Sequence, residues 1–121
     1  MRDAARAAAA MEILTELEAR KRPASEATKD WMLSHRFAGS KDRAEIGDLV
    51  FGALRWKQSS AWRFGADTPR AWVWGALRWG FDRSADWIAE SCIDAVHAPP
   101  APSEEELRAL RAAARLWRWR P

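Results

Sequence analysis

Five basic residues stand where a polyanion would meet them. Arg2 and Arg6 lie near the start of the chain, and Arg36, Lys41 and Arg43 precede the strongest apolar pattern in it. Arginine makes bidentate, charge-assisted bonds to phosphate, and each neutralised phosphate releases counterions, so these residues are a candidate RNA-binding patch. The competing reading is a solvated charged face on which Asp42 pairs locally with Arg43. Net charge does not choose between them. Twenty basic against 17 acidic side chains leave +3, and placement matters more than that excess.

Catalytic and metal chemistry finds little footing. The chain has two histidines and one cysteine, and Cys92 and His97, five residues apart, do not make a closed metal site. Cys92 falls on the apolar side of a short helix, where a buried structural thiol is the expected role. His35, beside Arg36 near a helix end, reads as a surface or dipole-complementing histidine rather than a base. Asp82 and Asp86 read as solvated acids around a helix start. The six glycines are dispersed, without the spacing of a dinucleotide or phosphate loop. No catalytic group has an activator beside it. The chain alone reads as a non-enzyme without metal or cofactor.

The elements that must position the basic residues are helices. From Asp3 to about Arg20 the sequence is alanine-rich, with Ala10, Ile13, Leu14 and Leu17 on one stripe, until Pro23 re-aims the chain. A second helix starts near Ser25 with Ala27, Trp31 and Ser34 on one side, Leu33 and Phe37 flanking, and Gly39 expected just past its end. Ser40–Arg55 is the central helix, with Ile46, Leu49, Val50, Ala53 and Leu54 on one face. Asp42 is expected as its N-cap with Glu45 completing a capping box. Gly47 and Gly52 inside it imply a closely approaching neighbour, because each costs about 1 kcal/mol against alanine. A short apolar piece through Trp62 and Phe64 ends at Gly65. Thr68 and Pro69 open a helix running to about Trp79 with Gly80 as terminator, and Ser84 opens one carrying Trp87, Ile88 and Cys92. HAPPAP, residues 97–102, is proline-rich. Ser103 and Glu106 form a capping box for a last helix, with Leu107, Leu110, Ala114 and Trp117 beside a basic stripe of Arg108, Arg111, Arg115 and Arg118.

Nine tryptophans and no tyrosine are the compositional outlier. Trp31, Trp72 and Trp87 fall on apolar stripes and are expected in the core. Trp62, Trp74 and Trp79 are open between core packing and a surface that stacks on bases or meets a partner. The last helix, ending LWRWRP, also resembles a membrane-surface helix, but Glu104, Glu105 and Glu106 argue against that. No run approaches the roughly 20 apolar residues of a membrane span. A single cysteine and no secretory signal point to the cytoplasm.

AARAAAAMEIL in the first helix and KDRAEIGDLVFGALRW in the central one resemble the NusB-like domain. The version most similar is that at the N-terminus of the Sun/Fmu (RsmB-type) ribosomal RNA cytosine-5 methyltransferases. Asp42, Arg43, Ile46, Leu49, Val50, Phe51, Gly52, Leu54 and Arg55 match its D-R-x-x-I-x-x-L-V-[YF]-G-x-L-R pattern. TPRAWVWGALRWG resembles that domain's next core helix, and HAPPAPSEEE the linker leaving it. The resemblance implies an all-α, NusB-like bundle of about six or seven helices. The expected layout is an RNA-binding domain over 1–96, a Pro-rich linker over 97–103 and an amphipathic helix over 104–121. It further implies a ribosomal RNA targeting module, with S-adenosylmethionine needed only by a separate catalytic domain. The alternative is a transcription antitermination or protein-interaction module, homodimeric through exposed tryptophans.

Overall fold

The computed structural model describes residues 2–36 and 38–117, with the side chains of the last helix described as far as Ala112. Phe37, Ala114, Arg115, Trp117 and Arg118, assigned roles above, thus lie outside the described residues or side chains. The described residues form an all-α bundle: α1 (Asp3–Arg20), α2 (Ala24–Ser34), α3 (Ser40–Arg55), α4 (Lys57–Phe64), α5 (Pro69–Gly75), a π-turn (Ala76–Gly80), α6 (Ala85–Ser91) and α7 (Glu104–Trp117). None of these helices is long and apolar enough to cross a membrane.

The core forms where the apolar stripes of α1 and α3 meet. Ala10, Leu14, Ile46, Val50 and Ala53 are fully buried. Alanines at positions 7, 9 and 10 let the backbone of α1 come close, so that its larger Ile13 and Leu14 reach inward. Trp72, Val73, Ala76 and Leu77 close the core from α5 and the π-turn, as their spacing predicts. The end of α1 is a left-handed stop at Lys21, where the N–H groups of Lys21 and Arg22 return to Leu17 O.

Several boundaries differ from expectation, each for a local reason. Gly39 does not terminate α2, which ends at Ser34; it is the N-cap of α3. Asp42 is therefore not the N-cap. It sits at the third helical position and accepts the backbone N–H of the N-cap Gly39, the second half of a capping box. Residues 57–64 are a true helix, stopped by Gly65 at φ 66°. Gly52 does face close neighbours, Phe81 and Ala76, whereas a Cβ on Gly47 would meet nothing within 4 Å.

The helix opened by Thr68 and Pro69 is capped as predicted, with Thr68 Oγ1 accepting the N–H of Ala71 at 3.2 Å. It then widens. Phe81 N–H bonds to Ala76 O, five residues back, at 2.9 Å, which makes residues 76–80 a π-turn. Two glycines bracket this turn, Gly75 against Ser60 of α4 and Gly80 against Trp56 just before α4. A Cβ on Gly80 would lie 2.8 Å from Trp56 Nε1, and one on Gly75 would lie 1.8 Å from Ser60 Oγ.

α7 shares this core. Leu110 is fully buried, and Pro99 and Pro102 are buried in the segment leading to it. The Ser103–Glu106 capping box forms with both bonds, at 2.9 and 3.1 Å. Arg70 grips Glu106 through two bonds of 2.9 Å, and Arg78 donates to Leu110 O at 3.1 Å.

Candidate nucleic-acid interface

The first turns of α1 and α3 lie side by side, so two sets of unbonded backbone N–H groups and two positive dipole ends point the same way. Arg6 fastens them. Its guanidinium meets Asp42 at 2.8 Å, Glu45 at 2.7 Å and Asp3 at 2.9 Å. Burial works against the Arg6 charge, but the hydrogen bond to Asp42 and the fields of Glu45, Asp42 and Asp3 outweigh it and raise its pKa. The same hydrogen bond holds the Asp42 carboxyl below its ordinary range, against a partial opposing effect of burial.

The predicted site residues fall into two groups. Arg6 and Arg43 are used internally: Arg6 by the three carboxylates, and Arg43 Nε by the carbonyl of Ala38 at 3.0 Å. Asp42 thus pairs with Arg6 across two helices rather than with Arg43 beside it. Arg2, Arg36 and Lys41 are exposed, and none of them makes an ion pair among the described residues. Arg2 precedes α1 and Lys41 is in the first turn of α3. Arg36 is in the turn that joins α2 to α3.

A groove of about 630 Å³ borders Arg2 but not Arg36 or Lys41, and the carboxylates of Glu12, Asp42 and Asp94 also line it. Ala5, Ala8 and Ala9 floor it, and Arg2, His35, Ala38 and Val96 stand along it. His35 and His97, the two histidines of the chain, both line it. His35 stacks on Trp31 at 3.9 Å with an interplanar angle of 5°, and its Nδ1 lies 2.8 Å from Trp31 O. Asp94 and His97 both adopt left-handed backbone, at φ 53° and 62°, conformations that asparagine, aspartate and histidine tolerate better than most residues. Spacing along the chain did not point to His97 here, because the fold of segment 92–98 brings it back to α1.

The tryptophans are mostly structural. Trp72, Trp74 and Trp79 are buried, and Trp31, Trp56 and Trp87 are half-buried. Trp31 and Trp87 are therefore less enclosed than expected, and Trp74 and Trp79 belong to the core. Trp72 satisfies its indole N–H on Asp67 Oδ1 at 2.8 Å, with Lys57 Nζ 4.5 Å from its ring. Trp62, 68% exposed, is the outward exception among the described side chains.

No group of three or more histidine, cysteine, aspartate or glutamate side chains is placed to hold a metal among the described residues. Burial raises the pKa of the Cys92 thiol against weaker effects of Ser91 and Arg70, which disfavours the thiolate a nucleophile needs. Set against models of known protein families, curated proteins and solved structures, the chain matches none of them.

Proposed function

We propose that this chain is a non-catalytic, cytoplasmic RNA-binding module that meets phosphates at the N-terminal ends of α1 and α3. The observation that carries this reading is the exposed set of Arg2, Arg36 and Lys41, unpaired among the described residues beside two helix dipoles. Arg6 and Arg43 act behind them by fixing the two helix ends and the connecting turn. RNA shape then selects the site, because phosphate contacts alone carry no sequence information. The resemblance of Ser40–Arg55 to the NusB-like domain supports the same role. It makes the chain a targeting module of a ribosomal RNA methyltransferase whose S-adenosylmethionine chemistry resides in another domain.

A salt titration of binding to a labelled small-subunit ribosomal RNA hairpin tests this. Affinity falls with salt, and the triple variant Arg2→Ala, Arg36→Ala, Lys41→Ala binds at least about tenfold more weakly with a shallower salt slope. Absence of binding at low salt, or a triple variant that binds like the parent, overturns the reading. A homodimer through exposed tryptophans draws on Trp62 alone among the described side chains. Sedimentation showing monomer over a wide concentration range removes it.

A further inference from the structure

A different face of α1 borders a second hollow. Asp3 and Arg6 turn away from the Ala5, Ala8 and Ala9 groove and line a space of about 240 Å³ between α3, the π-turn and α6. Buried Leu49 and Leu77 floor it, and the more exposed Phe81 and Trp87 flank it. This is smaller than the roughly 300–1,000 Å³ of small-molecule sites, and it suits one side-chain head group.

The charge around it is unbalanced. Asp3, Glu45 and Asp48 face Arg6 and Arg83, and Arg6 is already shared with Asp42 as a third carboxylate. Asp48 is exposed and makes no ion pair among the described residues. The Trp87 ring meanwhile carries a cation from its own chain: the Arg83 guanidinium lies 4.7 Å from its centroid. That contact links two neighbouring turns at the surface, so it is a weak cation–π pair. It shows that this ring face accepts a planar guanidinium.

An apolar shoulder adjoins the hollow. Phe81 lies against Gly52, its ring 3.1 Å from where a Cβ would stand, and Phe51 follows one residue earlier on α3. Phe81, which lines the hollow, is 41% exposed, and Phe51 is 54% exposed, apolar surface that a partner would cover.

We propose that the Phe81–Trp87 hollow receives an arginine side chain of a partner protein, its guanidinium replacing Arg83 on Trp87 and bonding Asp48. Apolar residues beside that arginine cover Phe51 and Phe81. Arginine fits better than lysine because its planar guanidinium both stacks and forks onto a carboxylate. A partner protein fits better than free arginine because the shoulder lies outside the hollow.

The test uses the full ¹⁵N-labelled chain and three capped tripeptides: Leu-Arg-Leu, Leu-citrulline-Leu and Gly-Arg-Gly. The indole N–H signal of Trp87, assigned with Trp87→Phe, reads binding. Leu-Arg-Leu moves this signal, the citrulline peptide binds at least about tenfold more weakly, and the glycine peptide is weaker severalfold. Asp48→Asn weakens Leu-Arg-Leu, whereas Arg83→Ala tightens it about two- to fivefold by removing the internal competitor. Both positions are exposed, and unchanged spectra away from the hollow show that the variants fold. Equal binding of the citrulline peptide, or an Arg83→Ala variant that binds no better, overturns the site. Equal binding of Gly-Arg-Gly and Leu-Arg-Leu overturns the partner-protein assignment.

Discussion

Ser60 Oγ fills the space a side chain on Gly75 would need. A Cβ built at Gly75 would stand 1.8 Å from that oxygen and 2.7 Å from Trp79 Cζ3, so α4 and α5 touch backbone to side chain. Ser60 is itself fully buried. Gly75→Ala therefore forces the helices apart and costs about 1–3 kcal/mol in urea unfolding. The double variant Gly75→Ala, Ser60→Gly recovers only part of that loss, because the Trp79 contact remains and glycine weakens α4. A single variant as stable as the parent would show that the two helices are not in register here.

Glu106 joins α7 to the bundle twice, by capping the helix and by accepting both arms of Arg70. Burial pushes its pKa up, but the Arg70 and Ser103 hydrogen bonds outweigh this and the net direction is down. A lowered folded pKa contributes stability that is complete above the ordinary value of 4.5 and is lost as pH falls through the folded value. Glu106→Ala costs about 1–3 kcal/mol at neutral pH, and less as the pH drops below that range. Glu106→Gln, which keeps the cap and loses the charge, lies between. The check is urea unfolding of all three proteins at two pH values.

Arg6 holds α1 to α3 through carboxylates on both helices. Arg6→Ala leaves Asp3, Asp42 and Glu45 facing one another, and its unfolding midpoint falls further than that of Arg20→Ala. Arg20 makes an exposed pair with Glu16, of a kind worth little. Because Asp42 is held below its ordinary 3.8, this contribution also fades as pH falls through the folded value of Asp42. Equal midpoints for the two variants would remove Arg6 as the clasp.

The tryptophans divide by burial. Trp72→Ala costs about 3–5 kcal/mol, the cavity cost of a fully packed aromatic. Trp62→Ala stays within about 0.5 kcal/mol of the parent. Thermal melts of both read the difference directly.

Cys92, with its thiol pKa raised by burial, reacts with an aromatic disulfide reagent more slowly in the native protein than in urea. Equal rates at neutral pH would place the thiol in open solvent.

The helices were legible because their signals are local. Thr68, Ser84 and the Ser103–Glu106 box announce starts through their own side chains, and all three cap as predicted. The stripe through Ile46, Leu49 and Val50 announces a core face. Two kinds of feature were not legible. The role of Asp42 depends on Arg6, 36 residues away, so a local capping pattern pointed to the wrong job. The contacts at Gly75 and Gly80 depend on Ser60 and Trp56, 15 and 24 residues away in the chain, and leave no periodic trace in the sequence. The candidate site suffered most, since a basic side chain looks the same whether it faces phosphate or a carboxylate on another helix.

The position of α1 at the heart of the bundle has a consequence during protein synthesis. Its apolar stripe is made before those of α3 and α5, and Ile46, Val50, Trp72 and Leu77, which share its core, follow it, the last by about 60 residues. At ribosomal speeds of about 5–20 residues per second, that face waits roughly 3–12 s for its neighbours. Until then Met11, Ile13, Leu14 and Leu17 have no core to enter. Slowing translation between α1 and α5 lengthens that exposure.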